Sequence, residues 1–258
     1  MSAATQPRHT LPRLDLILDT LEACHGAQGA AWPTDPYLFL LWWHCGYPPS
    51  DARCAQGWES LNAAVGVSPG MLLAASTARL ARALKPGGMM PELRAARVKS
   101  IARRVHEELG GDLRSALEKL SAVEARKLLR SFPGIGAPGA DRMLLFAGIT
   151  PTAAVPSSCP HVLVRIESGR EPDKYTATYA QAQRSLEAQL PDTFVARTRA
   201  YLLLQQHGRR LCKLKSPRCG ECPVAGHCAY FAATARRVPR AAPRSAKRPR
   251  QADRRRRA

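Results

Sequence analysis

Four of the chain's eight cysteines stand close together, Cys212, Cys219, Cys222 and Cys228, spaced C-x6-C-x2-C-x5-C. Thiolates in such a set suit structural zinc or an iron–sulfur cluster. Four-cysteine zinc sites usually pair two C-x2-C knuckles, and only one such pair is present, so the spacing favours iron–sulfur mildly and leaves zinc open. Pro217 and Pro223 keep the loop out of helix, as wrapping a metal requires. Lys213, Lys215 and Arg218 lie between the first two cysteines. A metal-held loop carrying three cations reads as a clamp for DNA phosphates, or as solvated charge on a structural staple. Cys24, Cys45, Cys54 and Cys159 are scattered and read mostly as buried, inert thiols.

The second chemically suggestive stretch is LLRSFPGIGAPGADRMLLF, residues 128–146. Its pattern predicts a helix ending near Ser131, a tight turn through Pro133-Gly134-Ile135-Gly136, and a second helix starting near Pro138. Proline is tolerated in a first helical turn because the missing N–H had no partner there. Gly134 and Gly136 let backbone approach a ligand closely, while Ile135 anchors the turn. Free amides and the dipole at the start of the second helix suit a phosphate, which is backbone binding without sequence readout.

These features must be held by the rest of the chain. It has 258 residues and a formal net charge of +19, from 39 Lys/Arg and 20 Asp/Glu. So large an excess asks for a polyanionic partner. Residues 236–258 hold eleven of the cations and one acid, with three prolines and no apolar periodicity, which predicts a disordered basic tail. The remaining residues are still basic, with 28 cations against 19 acids. Residues 1–10 read as a flexible leader. No apolar run is long enough to span a membrane and the start has no secretory h-region. A cytoplasmic setting is expected, and with it free thiols rather than disulfides.

Helical patterns follow one another along the body. The apolar spacing predicts helices over about 11–24, from Asp35 through Trp43, from a capping Asp51 to about Val65, a short one opened by Ser68-Pro69-Gly70, and a long one from Leu93 to Leu109. Ser121 to Glu124 is a capping box. Further helices fit about 139–147, 157–167, 174–190 and 194–208. Sustained alternation is missing, so the fold class is all-α.

Hairpin and cysteine loop together resemble the helix-hairpin-helix DNA glycosylase superfamily, and within it the endonuclease III group with its [4Fe-4S] loop. The resemblance covers roughly residues 12–230. Phe132-Pro133-Gly134-Ile135-Gly136 is similar to the Leu-Pro-Gly-Val-Gly hairpin, Ala154 to Arg165 to the segment that usually begins Ala-Val-Asp-Thr-His, and the cysteine spacing agrees in full. The resemblance implies two helical domains with double-stranded DNA, possibly damaged, bound between them. A barrel domain with the hairpin would span 35–146; a cluster domain would combine 11–34 with 147–235. It implies a [4Fe-4S] cluster on Cys212, Cys219, Cys222 and Cys228, structural or DNA-positioning rather than redox-active on substrate, in a protein expected to act as a monomer. DNA contacts fall on Gly134, Ile135, Gly136, Lys213, Lys215 and Arg218.

The same alignment removes the expected chemistry. The family's lysine, whose amine attacks C1′ and forms a Schiff base, falls at Pro138. Its aspartate, eighteen positions later, falls at Pro156. A glutamine that relatives insert into the base stack falls at Pro48. Residues 150–166 contain neither Asp nor Glu. Asp141, one helical turn beyond Pro138, is a substitute acid or else a surface residue of a first turn. Asp51 is a second candidate or else a cap, and His161 a candidate base or else a structural residue. Cys159 is a candidate nucleophile. The expectation is DNA binding without the usual glycosylase and lyase chemistry. The alternatives are a monofunctional glycosylase with a rearranged acid and a zinc-stapled DNA-binding protein.

Overall fold

The computed structural model describes residues 13–48 and 50–235. The leader and the basic tail read from the sequence lie outside them. The described residues form thirteen α-helices and no strand. They are α1 (Leu14–His25), α2 (Pro36–His44), α3 (Asp51–Ala64), α4 (Pro69–Ala74), α5 (Thr77–Leu84), α6 (Pro91–Glu108), α7 (Leu113–Glu118), α8 (Ala122–Arg130), α9 (Ala137–Phe146), α10 (His161–Ser168), α11 (Tyr175–Gln189), α12 (Phe194–Arg210) and α13 (Ala229–Ala235). None of the described helices is long and apolar enough to cross a membrane.

Local chemistry explains most boundaries. Asp35 accepts the Leu38 N–H, Ser68 the Met71 N–H, and Ser121 with Glu124 closes a full capping box. The cap of α3 corrects the expectation. Ser50, not Asp51, accepts the Arg53 N–H, and Asp51 sits in the first turn, where its charge meets the helix dipole favourably. The helix expected from 157 begins instead at His161, after Pro160. The short helices α5 and α7 lie in stretches where no helix was expected.

Two hydrophobic cores result. One gathers α2 to α9 around Trp42, Leu61, Val98, Leu129 and Leu144, and also takes Trp32 and Tyr201. The other gathers α1, α10, α11 and α12 around Leu21, Val164, Leu186 and Leu204, with Cys212, Cys222 and Cys228 packed on its margin. Helix α12 serves both cores, through Tyr201 on one side and Leu203 and Leu204 on the other.

Buried polar groups fix the geometry more sharply than the apolar ones. Arg94 is 2% exposed and donates to the carbonyls of Cys45 (2.7 Å), Gly88 (2.8 Å) and Met89 (2.9 Å). It thereby locks the loop after α2 beside the loop before α6. The approach is so close that a Cβ on Gly87 would stand 1.7 Å from the Cys45 oxygen. Tyr47, Met89 and Met90 are held exposed at the tip, Met90 in the left-handed region at φ 56°.

Asp141 is the second such group, and it corrects the surface reading. It is fully buried. Its Oδ2 accepts from Arg126 Nη2 (2.8 Å), Tyr179 Oη (2.9 Å) and Gln183 Nε2 (3.4 Å), and Arg126 Nε lies 2.7 Å from Oδ1. The last contact is ionic, without hydrogen-bond alignment. Burial raises the Asp141 pKa and these partners pull it back down. One carboxylate therefore joins α8 and α9 of the first core to α11 of the second.

Asp141→Asn is expected to destabilise the fold by about 2 kcal/mol, below the usual cost of breaking a buried pair because Arg126 is 38% exposed. Arg126→Met should cost a similar amount. Urea midpoints that match wild type in both variants would show that the contact contributes nothing.

Candidate nucleic-acid interface and cysteine pocket

The hairpin forms as its sequence directs. Helix α8 ends at Arg130 with Ser131 as its C-cap, Gly134 turns the chain at φ 67°, and Gly136 caps α9, with Pro138 in the first turn. The helix starts at Ala137, one residue before the expected start. No side chain caps Gly136, so the first-turn amides of α9 are left for a ligand. Ile135 is 7% exposed and roots the turn in the first core.

Two residues that sequence reasoning passed over stand against this turn, and one of them holds it. His44, at the end of α2, donates from Nε2 to the Pro133 carbonyl at 2.9 Å. Burial pushes its pKa down to about 4, so at neutral pH it is an uncharged peg. A Cβ on Gly134 would lie 3.2 Å from the His44 ring and 3.6 Å from Arg97 Nη1. Arg97, on α6, thus stands beside the hairpin backbone. Nothing but a folded structure could have paired His44 with a carbonyl 89 residues away.

Under the hairpin lies a cavity of about 150 Å³ lined by Phe39, Trp43, Gly134, Pro138, Arg142 and Ser157, among others. Trp43, read from sequence as core, is one of its walls; Trp42 is buried as expected. Pro138 stands where the resemblance puts the amine. Ser157 follows Pro156, itself buried, where the resemblance puts the acid. The lining contains no Lys, Asp, Glu, His or Cys.

The substitute candidates lie elsewhere. Asp141 is committed to Arg126, Tyr179 and Gln183, as described above. Asp51 accepts from Arg209 at 2.6 Å. His161 faces a different pocket, where its Nε2 donates to the Cys212 carbonyl at 2.8 Å, and burial lowers its pKa. The Cys159 thiol is buried and its pKa is pushed up to about 11, so it is not a ready thiolate.

The four cysteines of the loop line one pocket together with Arg165 and His207. Burial raises the thiol pKa of Cys212 to about 11 and raises Cys222 and Cys228 as well. Among the described residues no three His, Cys, Asp or Glu side chains converge closely enough to hold a single metal ion. Arg165 pins the loop from within. It is 4% exposed, grips Glu171 (Nη2–Oε1 2.6 Å), donates from Nη1 to the Lys213 carbonyl (2.9 Å) and from Nη2 to the Leu214 carbonyl (3.1 Å), and lies 4.7 Å over the Tyr230 ring. Lys213 and Lys215 are exposed, as expected. Arg218 is exposed as well and shares its guanidinium with Glu221, Nε to Oε1 at 2.8 Å.

These features define a helix-hairpin-helix fold of the endonuclease III type, and the comparisons agree. Among solved structures the chain is similar to endonuclease III in a non-covalent complex with DNA (TM-score 0.67, 18% identity, 88% of this chain and 100% of that one). It is also similar to a thermostable thymine-DNA glycosylase (TM-score 0.65, 17% identity, 86% and 97%). In sequence it is similar to the curated Endonuclease III of Thermotoga maritima, 26% identical over 148 residues, which is 57% of this chain and 62% of that protein. No protein-family model matches the chain.

Burial of His44 predicts a pH dependence. A folded pKa of about 4 lies below the ordinary histidine value of 6.5, so the unfolded chain takes up the proton first. The stabilisation is complete above pH 6.5 and is lost as pH falls toward 4, by on the order of 3 kcal/mol. Denaturant midpoints of wild type should fall across that window, and His44→Gln should flatten the fall. Equal slopes would remove His44 from the account.

Proposed function

We propose that the chain is an endonuclease III-like DNA-repair protein that binds duplex DNA through its hairpin and cysteine loop without the lysine–aspartate chemistry of a glycosylase/lyase. The supporting observation is the cavity under the hairpin, whose lining offers Pro138 and Ser157 and no amine, imidazole, thiol or carboxylate. Neither Asp141, Asp51 nor His161 lines it, so no rearranged acid is favoured. The uncapped start of α9, the nearby Arg97 and the exposed Lys213 and Lys215 supply phosphate contacts. The exposed Tyr47, Met89 and Met90 tip, clamped by Arg94, offers apolar groups of the kind that wedge between bases.

Cys212, Cys219, Cys222 and Cys228 would hold a [4Fe-4S] cluster. Four cysteines lining one pocket, with only one C-x2-C pair among them, suit a cluster better than zinc. When bound, the cluster supplies a covalent tie across the loop. The chain's own residues do the positioning: Arg165 fixes the backbone of Lys213 and Leu214, and His161 fixes that of Cys212. The two cores support a reading as two domains, 11–34 with 147–235 and 35–146, and we read the protein as a cytoplasmic monomer.

The test is purified protein with duplexes carrying oxidised pyrimidines, uracil, mismatched adenine or an abasic site. Duplex binding is expected, with no base release and no adduct on borohydride reduction; a trapped adduct would overturn the reading. If Arg97, Lys213 and Lys215 each neutralise one phosphate, affinity should fall about fortyfold between 50 and 200 mM salt. Metal analysis should give about four irons per chain, and stoichiometric zinc would replace the cluster assignment.

A further inference from the structure

His207, near the end of α12, is the most deeply buried histidine of the described residues, at 1% exposed. Both of its ring nitrogens have a neighbour. Nε2 stands 3.6 Å from the Cys222 sulfur, and Nδ1 stands 3.2 Å from Nε2 of His25. The two ring centroids are 5.5 Å apart. His25 closes α1, 182 positions away in sequence, and is half-buried between exposed Cys24 and Gly26. Gln28 ties this helix end down, its Nε2 donating to the carbonyls of His25 (2.8 Å) and Gly26 (3.0 Å). A path of contacts therefore runs from the surface, through two imidazoles, to one cysteine of the loop. Neither ring lines the cavity under the hairpin.

Elementary chemistry gives this path a direction. A cysteine ligates metal as its thiolate, which accepts hydrogen bonds and has no proton to donate. Nε2 of His207 must then carry the proton toward Cys222. A neutral imidazole has one donor and one acceptor, and burial disfavours the charged form, so Nδ1 accepts. The Nε2–H of His25 is the donor that faces it. His25 thereby fixes the tautomer of His207, and the tautomer decides whether Cys222 receives a hydrogen bond. Arg165 also approaches a loop sulfur, with Nη1 3.9 Å from Cys212. Its charge is permanent and depends on no second residue, whereas the donation from His207 depends on His25.

We infer that His25 and His207 form a two-imidazole hydrogen-bond chain that polarises the Cys222 sulfur and sets the reduction potential of a cluster held by the cysteine loop. The inference rests on the [4Fe-4S] reading above and adds to it a tuning device reached from the first helix. A hydrogen bond to a ligating sulfur withdraws electron density and so favours the reduced, more negative form. His25 is a positioning residue, acting only through His207.

The experiment takes the full-length protein, purified with its cluster, and measures the reduction potential by film voltammetry, with iron content determined for every variant. His207→Phe removes the donor. His25→Leu leaves His207 in place, with its carbonyl still accepting the Leu211 (2.9 Å) and Cys212 (3.0 Å) N–H groups, and removes only the group that fixes its tautomer. Each should favour the oxidised form about tenfold, a potential lower by about 59 mV for one electron. His25→Gln, whose amide can donate to Nδ1, should restore most of the wild-type value. In the double variant, His25→Leu should add nothing to His207→Phe. An unchanged potential in His25→Leu would overturn the inference, even if His207→Phe does not fold. A shift in His25→Leu that His25→Gln fails to restore would reduce the contact to packing and overturn it too, as would a wild-type cluster with no reversible wave. Zinc in place of iron in the purified protein would instead defeat the cluster reading, and the inference with it.

Discussion

Asp141 carries a carboxylate at a point withdrawn from water, and burying it is tolerable only because Arg126, Tyr179 and Gln183 reach it from two other helices. Apolar contact is non-directional and would let one core slide over the other. A carboxylate with three defined donors does not allow that. Because Asp141 sits one turn into α9, the same contact fixes where the hairpin's second helix points relative to the second core. His44 and Arg94 then complete the placement from the first core, each by satisfying backbone carbonyls that the turns leave open.

The prolines at positions 138 and 156 fit this framework without disturbing it. Pro138 occupies a first-turn position where its fixed φ suits a helix start and no intrahelical bond is lost. Pro156 still lends its carbonyl to the Cys159 N–H at 3.0 Å. Both positions keep their backbone role while offering no side chain for proton transfer or nucleophilic attack.

The all-α class, the caps at Asp35, Ser68 and Ser121, and the hairpin were legible because each depends on residues within a few positions of one another. The resemblance could mark Pro138 and Pro156 because it compares position with position. What failed was whatever depends on distant partners. Asp141 looked like a surface residue because a first-turn acid usually is one, and nothing local announces Tyr179 or Gln183. Arg218 looked free because Glu221 is equally at home in solvent. Arg142 drew no notice, since the four rings around its guanidinium come from positions 32, 39, 42 and 201. A charged residue in an amphipathic pattern is read as exposed unless the chain elsewhere supplies its box.

The charge of the chain changes meaning once its partners are known. Arg126, Arg165, Arg199, Arg209 and Arg218 are each engaged with an acid, and Arg94 and Arg142 are buried. The ion pairs leave the net excess unchanged, and only cations withdrawn from the surface, such as Arg94 and Arg142, reduce what reaches a polyanion. Exposed cations remain on many elements, among them Lys127 and Arg130 on α8 ahead of the hairpin and Lys213 and Lys215 on the cysteine loop. The loop lysines stand on backbone that Arg165 holds through two carbonyls, which lowers the entropy lost when they meet a phosphate. Placement on a stiff loop, more than the sum of charge, sets how these two lysines are presented.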